Sequence, residues 1–170
     1  MLKPAQLYKE ELIPEFERTW YDDEYKYYMN DCYFQDLEIL SDTVNLHQFV
    51  SVDSNEEIVG YIAYEIDRAT DNVSNLCAIN MKHNMFVFGM DLIQAIDDIF
   101  VKFNFSKIEF VVVVGNPAES MYDRFIRMCK GRVAGIYKKH VKLMDGQIYD
   151  VKMYEVMKEN YLKNRHKFFR

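Results

Sequence analysis

The sequence predicts a single α/β domain built around a mixed sheet. The chain of 170 residues is long enough to bury a hydrophobic core, and its 49% apolar and 28% charged residues are typical of a globular protein. Patterns rich in β-branched and aromatic residues predict two hairpins, over residues 46–67 and 133–156. Between them, a strand, a helix and a second strand form a βαβ crossover, so this part of the sheet is expected to be parallel.

Several features limit the classes of protein to consider. No apolar run approaches the roughly 18 residues of a membrane span, and the first residues lack the apolar core of a signal peptide, so we expect a cytoplasmic protein with no membrane partner. The three cysteines are odd in number and far apart, which favours buried free thiols. His47 and His83 have no Glu or Cys at metal-ligand spacing, so we expect no metal.

The charge is distributed unevenly along the chain. The net charge of −6 combines −12 over residues 1–71 with +6 over residues 72–170. Such a chain can hold a cationic ligand at one side and an anionic ligand at the other. The alternative is that the charge only drifts along a solvated surface.

The N-terminal part combines a short strand with acidic, aromatic helices. A strand is predicted at Leu2–Ala5, followed by a helix that either begins near Pro14 or is kinked there. A second helix is predicted at Glu24–Met29. The segment around it interleaves tyrosines with carboxylates, including Tyr28 and Asp31, and this combination suits an ammonium group through ion pairs and cation–π contact. An amphipathic helix pair with half-buried tyrosines would give the same pattern.

Turn residues mark the ends of the strands and helices that follow. The predicted strands are Leu46–Asp53, Ile58–Asp67, Val73–Met81, Lys107–Val114, Val133–Met144 and Ile148–Val156. A loop over residues 82–88 leads to a helix starting at Gly89, and the turn Gly115–Pro117 leads to a second helix that Gly131 ends. Asp145-Gly146 is a strong hairpin turn. The domain is expected to cover residues 1–156, and the basic residues 157–170 to form a tail or short helix, with a solvated tail favoured over nucleic-acid binding.

Both central helices begin at the carboxyl ends of parallel strands, so their N-termini open on the same edge of the sheet. Free N–H groups and the helix dipole favour an anion there. A diphosphate would meet the backbone from about Val87 through Phe88 and Gly89 to Met90. Asn116 has two possible roles, capping its own helix or contacting a ligand.

The order of these elements resembles the GCN5-related N-acetyltransferases (GNAT family) over roughly residues 1–156. Residues 57–63 resemble the family's third strand. Residues 86–91 stand where the family has Gln/Arg-x-x-Gly-x-Gly/Ala, with Gly89 matching and Phe86 and Asp91 departing. Residues 116–122 resemble the Asn-x-x-Ala/Ser…Tyr segment that opens the fourth helix. The resemblance implies a mainly antiparallel sheet with a splayed parallel central pair and helices on both faces.

The resemblance also implies a site for acetyl-coenzyme A (acetyl-CoA) as cosubstrate. The main chain of Ile79 and Met81 would pair with the pantetheine amides, and Tyr122 would protonate the leaving thiolate, unless it is only a core tyrosine. The fourth strand carries no carboxylate, so Glu65, Asp67, Asp31 or a water chain would provide the base. Cys77 is expected to be a core thiol rather than a nucleophile, since no histidine is placed to activate it.

Taken together, these features predict a direct N-acetyltransferase acting on a small-molecule or peptide amine, as a monomer or homodimer. The alternative is a catalytically weak or inactive module of the same fold that binds coenzyme A or a protein partner. The departures at Phe86 and Asp91 and the absence of a carboxylate on the fourth strand favour this alternative.

Overall fold

A computed structural model describes residues 1–20, 22–27, 37–41 and 44–169. The strands within them are β1 (Leu2–Pro4), β2 (Leu46–Val52), β3 (Ile58–Asp67), β4 (Asn72–Asn80), β5 (Lys107–Val113), β6 (Arg132–Lys142) and β7 (Ile148–Met157). The α-helices are α1 (Lys9–Glu17), α2 (Met85–Val101), α3 (Glu119–Cys129) and α4 (Lys158–Asn164). Short 3₁₀ turns lie at Ala5–Tyr8, Asp23–Tyr25 and Arg165–Lys167.

The seven strands found in the described part of the chain form one sheet in the order β1-β2-β3-β4-β5-β7-β6. Neighbours are antiparallel except β4 and β5, which are parallel. The predicted α/β fold with a mixed, mainly antiparallel sheet is therefore confirmed.

The largest apolar cluster lies between the sheet and helices α2, α3 and α4. Phe88, Leu92 and Ile96 form the buried stripe of α2, and Phe125 and Ile126 contribute from α3. A separate cluster on the opposite face packs Leu12 of α1 against β2 and β3. Helices thus cover both faces of the sheet, as the resemblance implied.

The N-terminal helix includes Pro14 instead of starting there. The helix runs from Lys9 to Glu17, so the alternative that keeps Pro14 inside a helix is the one observed. The second predicted helix is a 3₁₀ turn at Asp23–Tyr25, where the Asp22 side chain accepts a hydrogen bond from the Glu24 N–H. Residues 28 and 29 lie outside the described part of the chain.

The C-terminal residues form helix α4 and a 3₁₀ turn that pack on the domain. Tyr161 is fully buried, and its ring stacks on Phe100 of α2 at a centroid distance of 4.8 Å. Arg165 donates to both carboxylate oxygens of the buried Asp97, at 2.5 and 2.9 Å. Of the two predicted forms, the helix is observed, and the core extends past residue 156.

Candidate active site

The two central parallel strands separate soon after they begin. Over the described residues, β4 and β5 pair only at Asn72 with Lys107 and at Val73 with Ile108. Both strands continue beyond this point, so their carboxyl-terminal halves are splayed and leave a gap in the middle of the sheet. A cavity of about 530 Å³ occupies the gap. It is lined by residues 75–78 and 111–113 of the two strands, and by side chains from other elements that include Tyr27, Glu65, Tyr122 and His140.

The open edge of β4 presents main-chain groups to this gap. The Met81 N–H donates to the Val59 carbonyl oxygen at 2.8 Å, and Ile79 lies opposite Tyr61. Because main-chain groups alternate in direction along an antiparallel strand, Ile79 and Met81 face β3, whereas Ala78 and Asn80 face the gap. The prediction that Ile79 and Met81 pair with a pantetheine arm is therefore wrong by one residue.

Helix α2 starts earlier than predicted, at Met85 instead of Gly89. Asn84 is its N-cap: its side chain accepts from the Val87 N–H at 3.2 Å, and its carbonyl accepts from the Phe88 N–H at 3.0 Å. The physical cause is that Phe88 extends the buried stripe by one turn and packs into the core.

This earlier start changes the predicted anion site. The N–H groups of Val87 and Phe88 are already bonded to Asn84, and those of Gly89 and Met90 lie inside the helix, where each bonds to a preceding carbonyl. The predicted diphosphate contacts from Val87 to Met90 are therefore wrong for the helix as it is folded. Only the first turn can offer N–H groups to a ligand.

The surface around that first turn is apolar. The exposed fractions of Met85 and Phe86 are 61% and 80%. The nearby Lys82 ammonium pairs with the Glu57 carboxylate at 2.9 Å. Asp91 faces away from the helix start: its carboxylate accepts from the Ser51 hydroxyl at 2.7 Å and pairs with the N-terminal ammonium. The gap thus fits the amide-bearing arm of an acyl donor, whereas the α2 start is poorly suited to a diphosphate.

Side-chain hydrogen bonds close the turn after β5. The Asn116 side chain accepts from the Ala118 N–H at 2.8 Å, and Glu119 accepts from the Gly115 N–H at 2.9 Å. Helix α3 then begins at Glu119. Asn116 therefore closes the turn that precedes α3, whose N-cap position is Ala118 and has no side-chain cap. A ligand contact of Asn116 stays a prediction.

Tyr122 lies where two cavities meet. Its half-buried ring packs at 5.3 Å from Phe110, measured between centroids. It lines the cavity in the sheet gap and also a groove of about 300 Å³ between α2 and α3, to which Gly89 contributes. A side chain from the helix side therefore reaches the gap, as the predicted proton donor must.

The candidate bases are separated by the structure. Glu65 lines the cavity and accepts a hydrogen bond from the Asn75 side chain at 2.9 Å. Asp67 instead holds the β3–β4 turn: it accepts from the Thr70 hydroxyl at 2.6 Å and from the Ala69 N–H at 2.9 Å, and these bonds lower its pKa. Asp67 is not among the residues that line the cavity, so its role as a base stays a prediction that this geometry does not support. Tyr28 and Asp31, the predicted substrate contacts, lie outside the described residues.

Cys77 lines the cavity as a half-buried free thiol. Desolvation by burial raises its pKa to about 11, so it is held as a thiol and is a poor nucleophile at neutral pH. This agrees with the expectation of a structural cysteine.

Tyr27 and His140 line the cavity but are not among the predicted site residues. His140 is an exposed position in β6, and nothing in the alternation of that strand distinguishes it from its neighbours. Its place in the cavity follows from an irregularity of β6 that depends on contacts with β7. The sequence carried no local signal for it.

Two further properties concern the described residues alone. No group of three or more His, Cys, Asp or Glu side chains comes together there in a way that could hold a metal ion. No helix there is both long and apolar enough to cross a membrane.

Comparison with known proteins gives a result at the level of structure only. No protein-family model matches the sequence, and no curated protein is similar to it. A chimera of the spermidine N-acetyltransferase SpeG from Vibrio cholerae with hSSAT superposes with a TM-score of 0.61 at 25% identity, over 71% of this chain and 74% of that one. SpeG from Vibrio cholerae in complex with manganese ions gives a TM-score of 0.60 at 21% identity, over 71% and 70%.

The splayed parallel pair within a mainly antiparallel sheet and the matching solved structures define the class of fold. The chain has the fold of the GCN5-related N-acetyltransferases. The proteins of similar structure include the spermidine N-acetyltransferases of Vibrio cholerae named above.

Proposed function

We propose that this chain is an acetyl-CoA-dependent N-acetyltransferase that acts on a cationic amine. The observation that carries the proposal is the cavity in the gap between β4 and β5, where open main-chain groups, a tyrosine and a carboxylate meet. Acetyl-CoA supplies the acetyl group as a thioester. The main chain of Ala78 and Asn80 would hold the pantetheine arm, and an N–H of the same strand would stabilise the oxyanion.

The amine substrate is supported by charge and by the structural matches. Glu65 gives the cavity a carboxylate, and residues 1–71 carry a net charge of −12. Solved structures of similar fold include spermidine N-acetyltransferases by name. A polyamine is therefore the first substrate to test.

The primary experiment combines binding and turnover. We expect calorimetry to detect acetyl-CoA binding and a thiol-release assay to detect acetylation when spermidine, spermine and N-terminal peptides are offered as amines. The absence of thiol release with every amine would overturn the enzymatic function.

Tyr122→Phe tests the proton donor. Because the hydroxyl would protonate the leaving thiolate, we expect kcat to fall by about 10²-fold with little change in the KM for the amine. The matched control is Tyr8→Phe, which removes a hydroxyl bonded to Glu56 on the exposed surface. Equal rates for wild type and Tyr122→Phe would leave this residue with a packing role only.

The second candidate function is a module of the same fold that binds without catalysis. It is favoured by the first turn of α2, where Asn84 caps the N–H of Val87 and the exposed side chains are apolar. Binding of acetyl-CoA with no thiol release across the amine panel is the result that would support it.

A further inference from the structure

Strand β6 carries a bulge at the edge of the cavity. Tyr137 pairs with Val151 and Val141 pairs with Tyr149, so the three residues 138–140 lie opposite the single residue Asp150. Lys139 has a φ of 50°, in the left-handed region that side chains other than glycine rarely adopt. Bulges that reorient side chains are common next to active sites.

Asp150 of β7 holds this bulge in place. One carboxylate oxygen accepts from the Lys139 N–H at 2.9 Å, and the other pairs with the Lys138 ammonium at 2.7 Å. The Asp150 carbonyl also accepts from the Val114 N–H at 2.9 Å, which ties the same residue to the end of β5. The left-handed backbone is therefore stabilised by specific bonds.

The bulge brings a histidine to the cavity. His140 follows the left-handed Lys139 directly and lines the cavity together with Val141. Its ring stacks on the Tyr137 ring at a centroid distance of 4.8 Å and an interplanar angle of 26°. This stacking contact helps to fix the orientation of the imidazole. His140 is also exposed to solvent, where it can release a proton.

We propose that His140 is the general base that deprotonates the substrate amine, an inference that rests on the proposed acetyltransferase function. Glu65, Cys77, Tyr27 and Tyr122 line the same cavity from β3, β4, the segment 22–27 and α3. Tyr137 stacks on the ring, and the charged pair Lys138–Asp150 belongs to the same bulge. Among these residue types imidazole is the one whose charge normally changes between pH 5 and 8, which suits a base near neutrality.

The proposed step conserves atoms and charge. His140 accepts a proton from the substrate ammonium and passes it to solvent, which frees the nitrogen lone pair. That nitrogen forms a C–N bond with the thioester carbonyl carbon, the C–S bond breaks, and its electron pair leaves on sulfur. Tyr122 gives a proton to the sulfur, and the second amine proton returns to Tyr122 through solvent.

His140→Gln is the direct test, with His166→Gln as the matched control. His166 lies in the C-terminal 3₁₀ turn and is exposed. We expect kcat for His140→Gln to fall by about 10²-fold or more, with the decline of the rate at acidic pH flattened and KM little changed. His166→Gln should behave as wild type.

A second readout needs no acyl donor. The NMR signal of the His140 ring should shift during a titration with spermidine alone, and the shift should disappear in excess salt if the amine binds beside it. The signal of His166 should not move.

Asp150→Ala tests the bulge as the positioning device. It removes both bonds that hold residues 138 and 139, so we expect a loss of kcat similar to that of His140→Gln. The double variant should lose no more than either single variant, since both remove the same base. Additive losses would overturn the positioning role of Asp150.

The outcomes separate the two proposals. Wild-type turnover that is unchanged by His140→Gln over the whole pH range overturns the base and leaves the acetyltransferase standing. No wild-type turnover with any amine overturns both.

Discussion

At the residue scale, two glycines of this chain occupy opposite packing environments. A Cβ added at Gly60 would come within 2.5 Å of the Phe88 ring and closer still to the Ile79 carbonyl oxygen. A Cβ added at Gly89 would meet no atom within 4 Å. Gly60 thus lets the first turn of α2 lie directly on the sheet, whereas Gly89 only occupies a helix interior.

Gly89→Ala is therefore expected to stabilise the protein. Alanine is favoured over glycine inside a helix by about 0.5–1 kcal/mol, and the structure leaves room for the methyl group. Urea denaturation measures the change in the free energy of unfolding. Gly60→Ala is the control with the opposite sign, because overpacking is expected to destabilise this variant by about 1–3 kcal/mol.

The same variant tests the predicted phosphate contact. If a ligand approached the Gly89 backbone closely, the alanine methyl would weaken acetyl-CoA binding. We expect calorimetry to show equal affinities, because the Gly89 N–H lies inside the helix. A tenfold loss would show that the start of α2 unwinds when the donor binds.

Residue roles differed in how far the sequence could predict them. The family resemblance implies that Tyr122 lies at the gap, and Tyr122 lines the cavity there, while its role as proton donor stays a prediction. The sequence offers Asp67 as a base from its place at the end of β3, but it does not show that the Thr70 hydroxyl, three residues away, donates to this carboxylate in the turn. His140 is not predictable from the sequence of β6, because a bulge interrupts the alternation of side chains between the two faces of the sheet. The bulge itself depends on Asp150 of the next strand, β7.

At the element scale, the first turn of α2 is the feature that distinguishes this site from one suited to a diphosphate. The helix dipole favours an anion there, but Met85 and Phe86 present apolar surface, and the Asn84 side chain occupies one N–H. The loop prediction failed at this element because N-cap chemistry at Asn84 and the core contact of Phe88 prevailed over the glycine signal. The strand positions were predictable because alternation and turn residues bracket each strand.

Phe86→Arg is expected to strengthen binding of acetyl-CoA. A guanidinium at the exposed first turn adds a charge-assisted contact to phosphate, worth about a three- to tenfold gain in affinity. Calorimetry with acetyl-CoA measures the gain, and S-acetylpantetheine, which lacks the phosphates, should bind as it does to wild type.

Val101→Arg is the matched control for this gain. Val101 is the last residue of α2 and is half exposed, so the same charge is added at the opposite end of the helix. Equal gains from both variants would indicate attraction by net charge and would contradict a diphosphate at the start of α2.

At the scale of the whole molecule, a cluster of Lys26, Asp145 and Tyr149, here called the clasp, joins the acidic and basic parts of the chain. Lys26, from the acidic part, pairs with Asp145 of the β6–β7 turn at 2.9 Å, and Tyr149 donates to the same carboxylate at 2.6 Å. The next residue, Tyr27, lines the cavity. The clasp therefore holds one wall of the site against the far end of the sheet.

The clasp should open in acid. The Tyr149 hydroxyl and then the Lys26 ammonium lower the Asp145 pKa from 3.8 to about 2. A carboxyl whose folded pKa is depressed stabilises the fold above its unfolded pKa, and this contribution is lost as pH falls from 3.8 towards 2. We expect the fluorescence of Trp20, the single tryptophan, to change over this window, because it packs against the cluster containing Tyr25.

Two variants make this prediction specific. Asp145→Asn removes the titrating group, so the fluorescence change should disappear. Asp53→Asn is the matched control, because Asp53 also accepts backbone N–H bonds in a hairpin turn. A change that persists in Asp145→Asn would assign the transition to another carboxyl.

The C-terminal helix makes the last residues part of the fold, which composition alone did not indicate. The basic residues after 156 resemble a solvated tail, yet Tyr161 is fully buried between Phe100 and Phe168 and donates to Asp97 at 3.0 Å.

Tyr161→Ala would leave a large cavity, so we expect a loss of about 3–5 kcal/mol in the free energy of unfolding. Leu162→Ala, at a neighbouring position that is 43% exposed, should change it by at most about 0.5 kcal/mol. Urea denaturation measures the free energy of unfolding of both variants. Equal small losses in Tyr161→Ala and Leu162→Ala would mean that α4 is not part of the core and that the core ends with β7.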